Sequence, residues 1–506
     1  MALYRQASNC DQIRTFHMVL AALIVLTGAW FRMRGAFAEL WLDEIWSLNN
    51  ALTLNAWHEP FWKIPHDNNH PLNTWWLYMM GPGRSVWVYH LFSVITGTLT
   101  VVVAGWVAAR NRAPGAPKRM LVAMILMAVL FPFVNYGSEA RGYGPVMLFA
   151  VLAYASVEAP DTQAHQARWG YGIAGILGLL SHLGILPILF ALSLCFAWRQ
   201  RLQGHSILHA VNATVHLNGP FLAGLLVYVM GNSYGIHLNA NVLEIGGSTL
   251  KCPQVGCFVY ALDEITRFTT GGFGAHKSNL HSGFYIISVL GGVAWLGAVG
   301  NRRALPLGFI LLGVPLVFFV AGQPASPHGR YFIFVFVFVP LLIGEIFGEL
   351  SKRSMLIRFV ASICLVVFVG ANGWAINRFL KYGRGDYERA LNYITQHSDP
   401  SIPLLVGTEM TYQLGTVMDY NLHRLNISQT IRYIPFGDIP KIKPRWVVSV
   451  SLPLSTLPQT ACTGGLLYRL ESRHPYWGMS GKTWGIYALS PSLAPTNCRW
   501  LTNVSG

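Results

Sequence analysis

Long apolar stretches separated by short polar segments make up most of the chain before residue 376. A helix of ~20 apolar residues spans the hydrocarbon core of a bilayer, where irregular backbone would leave its polar groups unsatisfied. The pattern therefore predicts about eleven transmembrane helices. The predicted spans cover residues 17–36, 85–109, 119–137, 143–159, 169–182, 183–198, 207–231, 282–300, 304–322, 331–349 and 355–375.

The fifth and sixth spans share one apolar run, from Gly170 to Trp198. This run is too long for one comfortable helix and short for two. Pro187 and the pair Ser181-His182 indicate a break inside it, because proline removes a helical hydrogen bond. We therefore place two helices here.

The positions of Lys and Arg orient these spans, because cytoplasmic loops carry an excess of both. With the N-terminus inside, every predicted inside loop contains at least one. They are Arg110, Arg112, Lys118, Arg119, Arg168, Arg199, Arg201, Arg302, Arg303, Lys352 and Arg353. Loops 37–84 and 232–281, and the chain after about residue 376, then lie outside. The first apolar stretch lacks a small-residue cleavage site and is predicted to be a membrane anchor.

Composition supports a membrane protein. Of 506 residues, 53% are hydrophobic and 11% are charged, against roughly 25% charged in an average soluble domain. The formal net charge of +15 suits cytoplasmic loops, anionic membrane lipids and phosphate-bearing substrates. No basic stripe with interleaved aromatic residues occurs on a soluble segment, so we expect no nucleic-acid partner.

Two pairs of cysteines fall on the predicted outer side, where disulfides form. Cys252 lies near Cys257 in one loop, and Cys462 shares the C-terminal region with Cys498. These pairs predict two disulfides. Unpaired buried thiols are the alternative, because spacing does not show that the Cα atoms come close enough.

The composition changes after about residue 376, where charged and turn residues increase. Residues 386–394 have helical spacing, and residues 402–406 and 446–450 have the pattern of buried strands. We therefore predict a transmembrane domain over residues 1–375 and a small extracytoplasmic α/β domain over residues 376–506.

Two adjacent carboxylates, Asp43 and Glu44, follow the first span among tryptophans and leucines. Low-dielectric surroundings and mutual repulsion raise carboxyl pKa values, which suits a general base. Neighbouring carboxylates can also hold a divalent cation. A solvated helix start, where acids favour the positive end of the dipole, is an equally good interpretation of the pair alone.

The segment Asn68-Asn69-His70-Pro71-Leu72 lies later in the same loop. Asn and His can hydrogen-bond a sugar or a phosphate. A turn before a short helix at 73–80 is the better interpretation of this segment alone, since proline fixes turns.

Two arginines lie on the predicted outer boundary. Arg141 either pairs with Glu139 or presents a planar fork to a phosphate. Arg330 either binds an anion or anchors the helix at the interface, with Tyr331 in the aromatic belt. His182, near the outer ends of two spans, is expected to be a helix–helix hydrogen bonder rather than a ligand.

In their order along the chain, these motifs resemble the GT-C superfamily of membrane glycosyltransferases. The likeness is closest to the branch of protein O-mannosyltransferases, lipid A aminoarabinose transferases and rhizobial galacturonosyltransferase-like proteins, and it covers residues 20–200 best. The acidic pair follows the first helix. Residues 69–78 are similar to the branch's His-Pro-Pro-Leu motif with aromatics, except that Leu72 replaces the second proline. Residues 138–143 resemble its Glu-Ala-Arg-x-Tyr segment, 329–331 its late Arg-Tyr, and 385–390 the start of its external domain.

The resemblance implies an inverting transfer of one sugar from a polyprenyl-phosphate donor at the external membrane face. Asp43 would be the general base, and Glu44 would support it or help hold a metal. Some members of the superfamily use a divalent cation such as Mg²⁺ or Mn²⁺, and others do not. The residues implied to bind the donor phosphate or sugar are Arg141, Arg330, His70, Asn69, Glu139 and Tyr143.

Three alternatives remain at this point. A lipid-linked-sugar flippase would more naturally show two similar halves with charges at mid-membrane, and no such halves are visible. A non-catalytic GT-C-like subunit and transfer of a whole lipid-linked glycan are the others. The acceptor could be lipid A, an envelope glycan or a protein. The expected location is a bacterial inner membrane with the site facing the periplasm, although sequons at 426–428 and 503–505 keep the endoplasmic reticulum open.

Overall fold

A computed structural model describes residues 2–64, 69–110, 115–159, 163–238, 254–272, 280–320, 328–451 and 457–493. The chain divides into two compact units, which are described separately. The first unit contains Met1–Ala36, Thr53–Met80 and Tyr89–Ile376. The second contains Phe37–Leu52, Gly81–Val88 and Asn377–Gly506.

Helices account for most of the described residues. They are α1 (Ala2–Gly35), α2 (Leu42–Leu52), α3 (Pro71–Met80), α4 (Val86–Ala109), α5 (Ala116–Val129), α6 (Phe131–Tyr136), α7 (Tyr143–Val157), α8 (Ala164–Ser181), α9 (Ile185–Leu202), α10 (Ile207–Leu238), α11 (Gln254–Thr269), α12 (Leu280–Ala298), α13 (Ala304–Gly308), α14 (Val314–Val320), α15 (Ile333–Phe336), α16 (Val339–Leu350), α17 (Met355–Tyr382), α18 (Tyr387–Gln396), α19 (Thr411–Arg424) and α20 (Ile439–Ile442).

The predicted spans each coincide with a helix or with a run of helical segments. Among the described residues, 7 helices are long and apolar enough to cross a membrane. They are Thr15–Gly35, Val86–Ala109, Ile185–Leu202, Ile207–Gly231, Leu280–Ala298, Gly329–Leu350 and Met355–Gln396. Tyr143–Val157 and Ala304–Val317 are apolar but shorter. Large apolar side chains such as Val227 and Val366 stay about 70% exposed, as on a surface that faces lipid.

The third predicted span is two helices, α5 and α6, because the chain is extended at Leu130 and Pro132 starts the next turn. The interruption frees carbonyl groups at the end of α5. The fully buried Arg32 donates from Nη2 to the Met127 carbonyl at 2.8 Å and thereby caps that end. Asn372 accepts the Phe131 N–H at 2.8 Å on the other side of the break.

Glycines make room for the Arg32 side chain. A Cβ atom at Gly28 would lie 3.1 Å from Nη1 of Arg32, and one at Gly97 would lie 3.0 Å from its Nε. At Gly137 the corresponding distance to Nε is 2.8 Å. The intramembrane arginine is therefore enclosed by backbone as well as bonded to it.

A buried ion network joins several helices at the other end of the first unit. Nη1 of Arg303 contacts Glu345 at 2.6 Å, and its Nε contacts Glu158 at 3.2 Å. Arg119 reaches Glu345 from α5 at 3.5 Å. Buried charges persist only when they are paired in this way, so the network links α5, α7 and α16.

The second unit contains a six-stranded mixed sheet in the order β2-β1-β3-β6-β5-β4. The strands are β1 (Leu404–Thr408), β2 (Ile431–Pro435), β3 (Trp446–Ser451), β4 (Thr460–Thr463), β5 (Leu466–His474) and β6 (Thr483–Leu493). β1 pairs in parallel with β2 and β3, and the other pairings are antiparallel. The predicted small α/β domain is present, with its helix at Tyr387–Gln396 and its two strands within a few residues of the expected positions.

Part of the first predicted external loop belongs to the second unit. Residues 37–52 group with the C-terminal residues, whereas the sequence assigned the whole loop to the transmembrane domain. The packing of α2 against α19 provides one reason. Glu39 provides another, because its Oε2 accepts the backbone N–H groups of Tyr387 and Glu388, both at 3.0 Å.

Glu39 lies at the N-terminus of α18, where a negative charge is favoured by the helix dipole. Burial nevertheless dominates and raises its pKa to about 7. The backbone bond from Glu388 and the charge of Arg424 lower the pKa, and the carboxylates of Asp386 and Glu388 raise it. Glu39 therefore titrates near neutral pH.

The predicted disulfides remain predictions. Cys462 in β4 is disulfide-bonded, but Cys498 and Cys252 lie outside the described residues, as does the side chain of Cys257. Cys195 and Cys364, which the sequence places in membrane spans, carry no disulfide.

Candidate active site

The loop of residues 137–142, between α6 and α7, carries Glu139 and Arg141. Side chains from two other helices hold its backbone. Asn73 of α3 donates to the Ala140 carbonyl at 2.7 Å, and Ser93 of α4 donates to the Arg141 carbonyl at 3.0 Å. The loop is therefore fixed by hydrogen bonds to α3 and α4, which positions Arg141.

Arg141 contacts His70 directly. Its Nη2 lies 3.1 Å from Nε2 of His70, and its guanidinium carbon lies 5.1 Å from the centre of the Tyr143 ring. Both Arg141 and His70 are buried. His70 reaches this position because it immediately precedes α3, where Pro71 occupies the first helical turn, a position that suits proline.

His182 completes a compact group with these residues. Its ring stacks on His70 at 5.0 Å and lies 5.2 Å from the Tyr143 ring. We call His70, Arg141, Tyr143 and His182 the histidine–arginine cluster. His182 occupies the break between α8 and α9, so the predicted interruption of the apolar run supplies one member of the cluster.

Hydrogen bonds define the donor and acceptor nitrogens of the two histidines in the cluster. Arg141 can only donate, so Nε2 of His70 accepts and its proton sits on Nδ1. Burial lowers the pKa of His70 well below its usual value, and the charge of Arg141 lowers it further. Nδ1 of His182 accepts the Gly184 N–H at 2.9 Å, which leaves Nε2 as a hydrogen-bond donor.

A second arginine, Arg330, contributes its positive charge to the same region. That charge lowers the pKa of His70. Its turn is fixed by Glu264 of α11, whose Oε2 accepts the Gly329 N–H at 2.6 Å. Glu264 is not among the site residues predicted from the sequence. Its position on the amphipathic helix α11, in a loop predicted to be external, was the available signal.

The side chain of Asn69 stabilises the loop in which Asn69 itself lies. Its amide nitrogen donates to the carbonyls of Pro60 and Ile64 at 3.1 and 3.2 Å, and its Oδ1 accepts from Thr74 at 2.9 Å. These bonds fix the backbone next to His70, so Asn69 acts as a positioning residue in this structure. Asn68 lies outside the described residues.

The acidic pair lies in the second unit, on the first turn of α2. Oε2 of Glu44 accepts the Trp41 N–H at 3.1 Å, which is the carboxylate half of a capping box. Glu44 is fully buried, and Asp43 is 7% exposed. Three residues after Asp43, the ring of Trp46 contacts Tyr412 at 5.7 Å. The two neighbouring carboxylates therefore differ in role, because Glu44 stabilises the start of the helix.

The carboxylates of Asp43 and Glu44 are the candidate ligands for a divalent cation. In the described part of the chain, no group of 3 or more His, Cys, Asp or Glu side chains is arranged to hold a metal. One oxygen of Glu44 already accepts a backbone hydrogen bond. The acidic pair is therefore a poor donor set by itself, and the Mg²⁺ or Mn²⁺ site implied by the resemblance remains a prediction.

Several of the residues expected at the donor site lie together. His70, Arg141 and Tyr143 are in contact, and Arg330 acts on them through its charge. Glu139 is fully buried in the loop beside Arg141. His182 was expected to be a helix–helix hydrogen bonder, and it packs on His70 and accepts the Gly184 N–H. Asn73 was missed, because a buried asparagine on a short helix has no distinctive sequence signal.

Solved structures provide the matches to known proteins. No protein-family model matches the sequence, and no curated protein sequence matches it significantly. ArnT from Cupriavidus metallidurans in the apo state is similar over 94% of this chain and 98% of that chain, with 12% identity and a TM-score of 0.49. The archaeal oligosaccharyltransferase AglB from Archaeoglobus fulgidus, in complex with an inhibitory peptide and a dolichol-phosphate, is similar over 86% of this chain and 69% of that chain, with 12% identity and a TM-score of 0.48.

ArnT from Cupriavidus metallidurans bound to undecaprenyl phosphate matches over 95% of this chain and 99% of that chain, with 12% identity and a TM-score of 0.42. At this level of similarity, we argue the function from the residues of this chain.

Proposed function

We propose that the chain is a glycosyltransferase that moves one sugar from a polyprenyl-phosphate donor to an acceptor hydroxyl, with inversion at the sugar carbon. The observation that carries the proposal is the histidine–arginine cluster. A polyprenyl-phosphate leaving group is an anion at the end of a lipid. It needs pre-placed donors near the membrane surface.

The cluster offers such donors. Arg141 provides a planar fork of N–H groups that matches phosphate geometry. The hydrogen bond from its Nη2 to Nε2 of His70, at 3.1 Å, orients the guanidinium. Nε2 of His182 adds a neutral donor, and Arg330 adds a second positive charge. Because burial lowers the pKa of His70 well below its usual value, the positive charge beside that ring comes from Arg141.

Asp43 is proposed as the general base that takes the proton of the acceptor hydroxyl. Oγ of the neighbouring Ser47 donates to the Asp43 carbonyl at 2.9 Å, which fixes the backbone of the first turn of α2. Glu44 holds the same turn through Trp41. In the proposed step, the acceptor oxygen attacks the anomeric carbon as Asp43 removes its proton. The bond to the phosphate oxygen breaks, and its electron pair leaves with the polyprenyl phosphate.

The proposed location is a bacterial inner membrane, with the reaction at the periplasmic face, as the distribution of Lys and Arg favours. The proposed acceptor is a lipid A, an envelope glycan or a protein. A flippase for the same lipid-linked sugar would also need cations for the phosphate. It would need no base, and therefore the test below separates the two activities.

The test compares purified wild-type protein with Asp43→Asn and Arg141→Gln. Radiolabelled polyprenyl-phosphate sugars are supplied with membrane extract as the acceptor source. We expect label transfer by the wild type, near-complete loss in Asp43→Asn, and loss of donor affinity in Arg141→Gln. Asp399→Asn is the matched control, because Asp399 is exposed and contacts Ser401 locally.

Two other results would contradict parts of the proposal. Equal transfer by wild type and Asp43→Asn would remove Asp43 as the base. Donor binding without transfer by the wild type, combined with movement of labelled lipid across vesicles, would replace the transferase with a flippase. Size-exclusion profiles and far-UV circular dichroism of all variants establish that a loss of transfer is not a loss of fold.

A further inference from the structure

A groove on the first unit lies between α4, α7 and α8, and its lining includes no residue of the histidine–arginine cluster. It has a volume of about 360 Å³. Apolar side chains from all three helices line most of it, among them Trp106, Phe149, Leu152, Ile173 and Leu177. Trp106 and Ile173 remain about half exposed, so the groove opens outward from the helices rather than into the interior.

Small residues on facing helices create the groove. Gly170 and Ala174 on α8 face Ala155 and Ser156 on α7. The Ser156 hydroxyl donates to the Leu152 carbonyl of its own helix at 3.0 Å, so it presents no unsatisfied polar group to the groove. The interior is therefore suited to a hydrocarbon chain.

The length of the apolar part matches one leaflet of a bilayer. On α8 the apolar lining extends from Ala167 to Leu177, which at 1.5 Å per residue is ~15 Å. The hydrocarbon core of a bilayer is ~30 Å thick, so one leaflet contributes ~15 Å. A single acyl chain of a membrane lipid would fill this length, whereas a polyprenyl chain would extend well beyond it.

A positively charged side chain, Arg110, lies at one end of the groove. Arg110 follows α4, and its guanidinium lies 5.0 Å from the centre of the Trp106 ring. Its Nη1 donates to the Ala155 carbonyl at 2.5 Å, and its Nη2 donates to Oε1 of Gln163 at 3.1 Å. These bonds hold the guanidinium at the mouth of the groove, near the end of α7, where a positive charge is favoured by the helix dipole.

The nearby charges leave Arg110 available for an anion. Arg303 and Glu158 are close enough to act on it electrostatically, but they pair with each other at 3.2 Å. Gln163, the side-chain partner of Arg110, is uncharged. The mouth of the groove is therefore positive, and the positive-inside rule places it at the cytoplasmic surface, where anionic lipids are found.

We propose that this groove is a binding site for an anionic glycerophospholipid of the cytoplasmic leaflet. One acyl chain lies along α8, and the headgroup phosphate contacts Arg110. The occupant is a structural lipid, and the proposal is independent of the transferase activity.

The test is native mass spectrometry of the full-length protein, released from detergent in the presence of phosphatidylglycerol or phosphatidylcholine with identical acyl chains. We expect the wild type to retain phosphatidylglycerol preferentially. Arg110→Gln should reduce that preference by about fivefold, which is the contribution of one cation near an anionic surface. Ala174→Phe should fill the groove and reduce retention of both lipids.

Arg201→Gln is the matched control, because Arg201 is an exposed arginine of another predicted inside loop and contacts only the His205 carbonyl among the described residues. It should retain phosphatidylglycerol like the wild type. Equal retention of the two lipids by the wild type, or an unchanged preference in Arg110→Gln, would overturn the proposal. Retention of polyprenyl phosphate that is lost in Ala174→Phe would also overturn it, because the groove would then belong to the donor. Ala174→Phe keeps Arg110, so it tests the groove even if Arg110→Gln fails to fold.

Discussion

Glu39 should make the second unit less stable as the pH rises towards neutrality. Its carboxyl group is buried against the start of α18, and its pKa is raised from 4.5 to about 7. A raised carboxyl pKa means that the folded state holds the proton more tightly than the unfolded state. The stabilisation is therefore complete below about pH 4.5 and is lost as the pH rises through about 7.

The loss of stability can be calculated from the pKa shift of Glu39. The difference between 4.5 and about 7 is about 2.5 pH units, and each unit corresponds to ~1.4 kcal/mol. Ionisation should therefore reduce the stability of the contact between Glu39 and α18 by up to ~3 kcal/mol at pH 8. Glu39→Gln removes the ionisation and keeps an oxygen that can accept the N–H groups of Tyr387 and Glu388.

The measurement is hydrogen–deuterium exchange of the α18 amides in the full-length protein, corrected for the intrinsic effect of pH. Wild-type protection should fall by up to about two orders of magnitude between pH 5 and pH 8, since ~1.4 kcal/mol is tenfold. Glu39→Gln should retain its protection. The control is Glu471→Gln, at an exposed position on β5. Equal wild-type protection at the two pH values, or weaker protection of Glu39→Gln at pH 8, would refute the reasoning.

Three further changes test other contacts. Gly142→Ala would place a Cβ atom 1.8 Å from a backbone oxygen of the α8–α9 break, so we expect loss of most transfer activity in a folded protein. Gly373→Ala, with nothing within 4 Å, should be active, and an active Gly142→Ala would contradict the proposed packing. Glu264→Ala should raise the KM for the donor by about tenfold by releasing the turn of Arg330, a loss of ~1.4 kcal/mol. Glu264→Gln should restore the KM, and steady-state kinetics would show equal KM values if Glu264 had no positioning role. Glu345→Ala leaves buried arginines without their main partner, so it should destabilise the protein by about 3–5 kcal/mol. Thermal unfolding in detergent measures this, and an unchanged midpoint would show that the network carries little stability.

The sequence predicted the helices of the membrane region well, because ~20 apolar residues have few alternatives to a spanning helix. It predicted the break between α8 and α9 but not the one between α5 and α6. The interruption at Leu130 depends on Pro132 together with Arg32, which lies almost a hundred residues earlier in the chain and bonds the freed carbonyl groups. A local pattern contains the proline but not its distant partner.

The arginines of the candidate site could be predicted from the sequence more easily than the residues that position them. Arg141 and Arg330 were noticed because charges near a membrane are costly. His182 was predicted to be a packing residue, but its packing partner, His70, is visible only in three dimensions. Glu264 and Asn73 act through backbone groups of other segments. Such contacts leave no spacing in the sequence from which they could be inferred.

The enclosure of Arg32 has an evolutionary consequence. Its side chain lies against positions Gly28, Gly97 and Gly137, where a Cβ atom would come within 3.1 Å of the guanidinium or its stem. A side chain at Gly28 or Gly97 would require Arg32 to shift, and one at Gly137 would also lie 2.5 Å from the Phe133 carbonyl oxygen. Loss of the arginine would leave the end of α5 uncapped. The four positions should therefore change together in related sequences. Covariation among them would mark descendants that keep this helix break.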